Sequence, residues 1–163
     1  MKKLVVLCVE DEPEVRDAVI RDLAPFKPMA RIEAAESVDD AHAVLEEAKS
    51  DDQKIALILC DHLMPGTHGV DFLINLQSDP DYKPTRKVLI TGQAGLEDTV
   101  RAVNEAGLHH YIAKPWKAET LQDVVRTQLT EYVLKTQDDL TPYVATLDGA
   151  RLLEAIASRG RDT

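Results

Sequence analysis

The chain has 163 residues, 44% hydrophobic, 29% charged and 4% aromatic, the composition of an ordinary globular domain with a modest appendage rather than of a disordered or fibrous chain. Nineteen Lys and Arg against 29 Asp and Glu leave a net charge of -10, which opposes direct binding to nucleic acid or to an anionic membrane surface. No stretch approaches the roughly 20 consecutive apolar residues of a membrane-spanning helix, and the N-terminal MKKLVVLCVEDE turns acidic before a secretory signal could finish, so a cytoplasmic protein is expected.

The first apolar run, LVVLCVE (4–10), reads as a strand. Pro13 then suits a first helical turn, with Val15, Val19 and Leu23 at helical spacing. ARIEAA (30–35) reads as a second strand, more polar and therefore placed at a sheet edge. Ser37, with Asp40 after it, resembles a capping box with Asp in place of Glu, opening a helix through Val38, Ala41 and Leu45. IALILCD (55–61) is a third strand that ends in a carboxylate and breaks at Pro65-Gly66. KVLIT (87–91) and HYIAK (110–114) complete the set of strands, each followed by a helical period.

Strands that are nearly continuous in Val, Ile and Leu are buried on both faces, so the expected fold class is α/β, a doubly wound five-stranded parallel sheet. AETLQDVVRTQLTEYVL (118–134) is amphipathic, and KTQDDL (135–140) reads as a linker. A last helical piece runs from about Pro142 to Ser158, with a break at Asp148-Gly149. Residues 1–134 are thus one domain, and 135–163 a linker and C-terminal helical extension that could begin or lead to an effector.

In open parallel sheets ligands bind outside the carboxyl ends of the strands, where the strand order reverses. The residues that arrive there are Glu10 and Asp11, Asp61, Thr91 and Lys114. Converging carboxylates repel and raise one another's pKa unless a cation joins them, and hard oxygen donors suit Mg2+, with Mn2+ as a substitute. An ionised Asp61 beside such a metal is a nucleophile toward a phosphoryl group. Lys114 supplies the counter-charge for the product and Thr91 a hydroxyl donor.

VEDE (9–12), CDHLMPG (60–66), LITG (89–92) and YIAKPW (111–116) follow in that order, with 50 residues from Asp11 to Asp61, 30 on to Thr91 and 23 on to Lys114. Over about residues 3–134 this resembles the receiver domain of two-component response regulators. The resemblance implies a flavodoxin-like (βα)5 receiver fold. It implies that Asp61 is phosphorylated by a sensor histidine kinase or a histidine phosphotransfer protein, and that Glu10, Asp11, Asp61 and the backbone carbonyl of Leu63 hold Mg2+. Thr91 and Lys114 would bind the phosphoryl oxygens, Tyr111 would be an aromatic switch, and Lys114-Pro115 would be cis.

Such a chain is a signalling switch rather than an enzyme, with Mg2+-dependent self-phosphorylation from phosphodonors and slow self-dephosphorylation. By the same resemblance Leu63 and Gln93 would occupy positions that influence the hydrolytic water, and Glu10 stands where the family often has Asp, changing reach more than charge. Output is expected through the surface of the fourth helix, fifth strand and fifth helix, toward a downstream protein or an effector domain. The spacing of Leu121, Val125, Leu129, Tyr132, Leu152, Leu153 and Ile156 also permits a homodimer.

Two other classes fit less well. A flavodoxin-like electron carrier needs hydroxyl and glycine residues after the first strand to cradle the FMN phosphate, where this chain has EDEPE. A haloacid-dehalogenase-type phosphatase puts its nucleophile after the first strand, with a second Asp two residues on. Cys8 and Cys60 read as reduced core thiols, Trp116 as a packing anchor for the fifth helix, and His42, His62, His68, His109 and His110 as solvated residues.

Overall fold

The computed structural model describes residues 2–64, 66–92 and 96–161, of which 96–98 by their backbone. Gln93 lies outside the described residues. The strands are β1 (Leu4–Val9), β2 (Ala30–Ala35), β3 (Ile55–Cys60), β4 (Arg86–Thr91) and β5 (His110–Ala113), and the helices α1 (Pro13–Asp22), α2 (Val38–Ser50), α3 (Gly69–Gln77), α4 (Leu96–Glu105), α5 (Ala118–Thr136) and α6 (Gly149–Arg161).

All strand pairs are parallel, in the order β2-β1-β3-β4-β5. The chain steps outward from β1 to β2 and returns to β3, so the order reverses between β1 and β3. β1 and β3 are buried along their whole length, as their unbroken apolar runs require, whereas β2 and β5 at the two edges are partly exposed. Local signals act as read: Pro13 opens α1, and Ser37 Oγ accepts from the Asp40 N–H at 3.1 Å.

The sheet divides the core in two. On one face Val6, Cys8, Leu57, Val88 and Ile90 meet α1, α5 and α6; on the other Val5, Leu7, Ile58, Cys60 and Leu89 meet α2, α3 and α4. Cys8 pairs with Leu59 and Val9 with Cys60, so the two thiols fall on opposite faces, and both are free. Burial pushes the Cys8 thiol up to about 12 and Cys60 upward as well, which keeps both inert.

After α5 the chain folds back along it. Leu140, Tyr143, Leu147 and Leu152 join the core that α5 covers, and the break at Asp148-Gly149 precedes α6, where Asp148 N donates to Thr130 Oγ1 at 3.2 Å. Leu121, Val125, Leu129 and Tyr132 are likewise buried in the chain's own core, and Leu153 stands out at 56% exposed. Among the described residues no helix is long and apolar enough to cross a membrane.

Candidate functional site

Glu10, Asp61 and Lys114 are each carried past the end of a strand by one more ladder bond, and Thr91 is the last residue of β4. Glu10 N donates to Ala35 O at 2.9 Å, Asp61 N to Val9 O at 2.9 Å, and Lys114 N to Thr91 O at 3.3 Å. These bonds hold the residues beside the point where the strand order reverses. Glu10, Asp61 and Thr91 are buried there, although two of them are carboxylates.

Carboxylate oxygens of Glu10, Asp11, Glu12 and Asp61 lie within 4.8 Å of one another. Lys114 Nζ lies 3.1 Å from Glu10 Oε2, 3.4 Å from Asp61 Oδ2 and 3.9 Å from Glu12 Oε1. Burial pushes the Glu10 carboxyl up to about 7; the Asp61 charge adds to this, and the Lys114 ammonium pulls against it. Burial depresses Lys114, but the Glu10 and Asp61 carboxylates outweigh it and raise its pKa, so the ammonium stays charged.

One cation does not balance this cluster. Asp11 Oδ1 is buried without a hydrogen-bond partner among the described residues, an unusual position for a carboxylate oxygen. The all-oxygen donor set and this orphaned atom fit a hard dication such as Mg2+. Glu12, the N-cap of α1, belongs to the same cluster; sequence reasoning passed over it, although it continues the acidic run after β1.

Behind Asp61 the backbone is unusually close. A Cβ on Gly69 would lie 1.9 Å from the Asp61 carbonyl oxygen, so the first residue of α3 must lack one. Gly69 N donates to His62 O at 3.0 Å and Val70 N to His62 Nδ1 at 3.4 Å, so His62 caps α3 while its N-cap residue His68 makes no side-chain cap. The expectation of solvated histidines fails here: His62 is buried with its ring edge-on to His68 at 5.0 Å. It fails also at half-buried His109, whose Nδ1 accepts from Lys87 N. His42, His68 and His110 are exposed.

Leu63 lies in the β3–α3 loop with its side chain 45% exposed. Tyr111 is partly exposed on β5, and its hydroxyl donates to Thr91 O at 3.2 Å. The Lys114-Pro115 peptide bond is cis. The site thus gathers Glu10, Asp11 and Asp61 into one carboxylate cluster with Lys114 on Glu10 and Asp61, while Thr91 ends β4 and Tyr111 on β5 reaches the Thr91 carbonyl.

The family model described as "Response regulator receiver domain" matches residues 6–126. The hydrogenase transcriptional regulatory protein HoxA of Cupriavidus necator is 37% identical over 125 residues, which cover 77% of this chain and 24% of that protein. Chemotaxis protein CheY-3 of Vibrio cholerae is 30% identical over 125 residues, 75% of this chain and 88% of that protein. The chain therefore spans about a quarter of the length of HoxA but most of CheY-3. Among solved structures, the signal receiver domain of an HD domain-containing protein from Pseudomonas fluorescens superposes with a TM-score of 0.73 at 19% identity, covering 85% of this chain and 96% of that one, a likeness of fold.

Proposed function

The chain belongs to the response regulator receiver family of two-component signalling, and from that premise we propose that Asp61 is its phosphoacceptor. The observation that carries this reading is the contact of Lys114 Nζ with both Glu10 and Asp61 inside a carboxylate cluster that still holds an orphaned Asp11 oxygen. Such a cluster is poised for a dication and for an anion, not for charge balance by itself.

A bound Mg2+, held by Glu10, Asp11, Asp61 and the Leu63 carbonyl, would neutralise the carboxylates and orient the phosphoryl oxygens. An Asp61 oxygen attacks phosphorus; the new O–P bond forms as the bond to the donor's imidazole nitrogen breaks, and the freed imidazole takes a proton from water. Lys114 exchanges its Asp61 contact for the phosphoryl oxygens, and the Thr91 hydroxyl donates to them. As Thr91 moves, its hydrogen-bonded partner Tyr111 moves with it, which transmits the change to the outer face of β5. The donor in this reading is a sensor histidine kinase or histidine phosphotransfer protein in the cytoplasm.

The same reading assigns residues 1–134 to the receiver and 135–163 to a linker and helical extension, supported by the family match over 6–126. Output runs through α4, β5 and α5, where Val100 and Val103 on α4 are 47% and 53% exposed and Tyr111 on β5 is 36% exposed. That surface suits a downstream protein, an effector domain or a second copy of the chain. A net charge of -10 disfavours nucleic acid as a direct partner.

Incubation with Mg2+ and acetyl phosphate, read by intact mass, tests the proposal. The chain is expected to gain about 80 Da, one phosphoryl group, and to lose it slowly. Asp61→Asn should gain nothing, and an equal gain in that variant would remove Asp61 from the role.

A further inference from the structure

We propose that Asp22 and Trp116 form a clasp that positions Lys114 for the incoming phosphoryl group. The inference rests on the reading that Lys114 binds phosphoryl oxygens, and it makes Asp22 and Trp116 positioning residues that touch no reacting atom. Trp116 follows Lys114 by two residues, and its indole Nε1 donates to Asp22 Oδ2 at 3.0 Å. Gln122 Nε2 from α5 donates to Asp22 O at 2.9 Å, and Arg21 Nε lies 3.4 Å from Asp22 Oδ1.

Asp22 is the last residue of α1 and only 7% exposed. A buried carboxylate at the negative end of a helix dipole is disfavoured, so local helix stability does not account for it. Its hydrogen-bond partners beyond α1 lie in the segment after β5 and in α5.

Trp116 packs against the core on the α1 face of the sheet, but its segment does not close over α1. A cavity of about 540 Å3 lies between them, with Val15 and Ala18 on one wall and Pro115 and Trp116 on the other. Along the sheet Lys114 is anchored by a long backbone bond, 3.3 Å to Thr91 O. The indole–carboxylate bond spans the cavity's edge and sets how far the Lys114 ammonium reaches over Asp61. A shift of about 1 Å in a positioned charge is worth one to two orders of magnitude in rate.

The test measures labelling rate with acetyl phosphate at saturating Mg2+ for the full native chain, Trp116→Phe, Asp22→Ala, Asp22→Asn and the Trp116→Phe/Asp22→Ala double variant. Each partner removed alone should slow labelling about tenfold, and the double variant no further, because the residues act as one unit. Asp22→Asn keeps an acceptor oxygen and should stay within about twofold of native. In the metal-free chain the indole N–H of Trp116, the single tryptophan, should exchange slowly in the native chain and in Asp22→Asn, and fast in Asp22→Ala.

Native rates in Trp116→Phe and Asp22→Ala would overturn the clasp alone. So would additive slowing, or slowing of Asp22→Asn to the level of Asp22→Ala. A native chain that takes no label overturns the phosphoacceptor reading, and the clasp with it.

Discussion

β4 buries a polar group at each end, and the two ends treat burial in opposite ways. At its start Lys87 is fully buried, and its ammonium donates to Gln77 Oε1 at 2.8 Å, Thr85 O at 3.0 Å and Tyr82 O at 3.2 Å. All three protons are matched by neutral acceptors. At its end Thr91 adjoins a cluster where buried carboxylates outnumber the ammonium beside them and one oxygen of Asp11 has no partner among the described residues. The first end is closed and serves the fold; the second is left unbalanced, and under the proposed function a metal and a phosphoryl group would relieve that imbalance.

The largest test of this contrast uses a glycine from each end. A Cβ on Gly69 meets Asp61 backbone at 1.9 Å, so Gly69→Ala must move β3 or α3 and is expected to destabilise by about 3 kcal/mol or more, with loss of labelling. A Cβ on Gly107 meets the Gln77 side chain at 2.9 Å and sits at φ +66, so Gly107→Ala should cost about 1–2 kcal/mol through strain and a displaced Lys87 acceptor. Urea unfolding and labelling on both variants separate the outcomes. Preserved labelling in Gly69→Ala would break the claim that the α3 junction holds the site.

Next in size is a pair of charge deletions with opposite signs. Lys87→Met strands one buried and two part-buried acceptors and should lose about 2 kcal/mol. Glu10→Gln removes a buried repelling charge, so at pH 8 and without metal it should gain about 1 kcal/mol while labelling falls. Two losses of stability would mean that the cluster is balanced without a metal.

How much of this contrast was legible in the sequence follows from separation along the chain. Glu10, Asp61, Thr91 and Lys114 each interrupt the end of an apolar run, a signal that needs no partner to be seen. Lys87 stands at the start of an apolar run and reads as an ordinary strand-opening lysine. Its burial depends on Gln77, ten residues earlier, and on the Tyr82 and Thr85 carbonyls, none of which forms a pattern. The buried His62 and half-buried His109 escape the sequence for the same reason, since they accept from the backbone N–H groups of Val70 and Lys87. The placement of Cys8 and Cys60 on opposite faces turns on a strand register that composition does not specify.

The two ends also titrate with opposite signs. The Glu10 carboxyl is pushed up to about 7 from 4.5, so between those values only the folded chain holds the proton, and stability falls as pH rises. His109 near Lys87 is pushed down to about 4 from 6.5, burial leading and the Arg86 and Lys87 charges adding. Between pH 4 and 6.5 the unfolded chain holds more of that proton, so stability rises with pH. Each contribution is on the order of 2 kcal/mol and they overlap, leaving the native curve flatter than either. Subtracting the Glu10→Gln curve from native should uncover a fall from pH 4.5 to 7, and subtracting His109→Asn a rise from 4 to 6.5. Difference curves of the same sign would erase the distinction between the ends.

The smallest effect is the most selective. A dication that binds only the folded chain stabilises it by about 1.4 kcal/mol at ten times its Kd. Because the orphaned Asp11 oxygen and the raised Glu10 carboxyl both lie in the cluster, Asp11→Asn should lose at least about half of that increment, and lowering the pH below about 7 should shrink it as protons compete for Glu10. Lys87→Met should keep the whole increment despite its lower baseline, since its cage lies at the far end of β4. Thermal melts with Mg2+ and with chelator read all three. An increment that Lys87→Met loses and Asp11→Asn keeps would place the ion at the wrong end of the sheet.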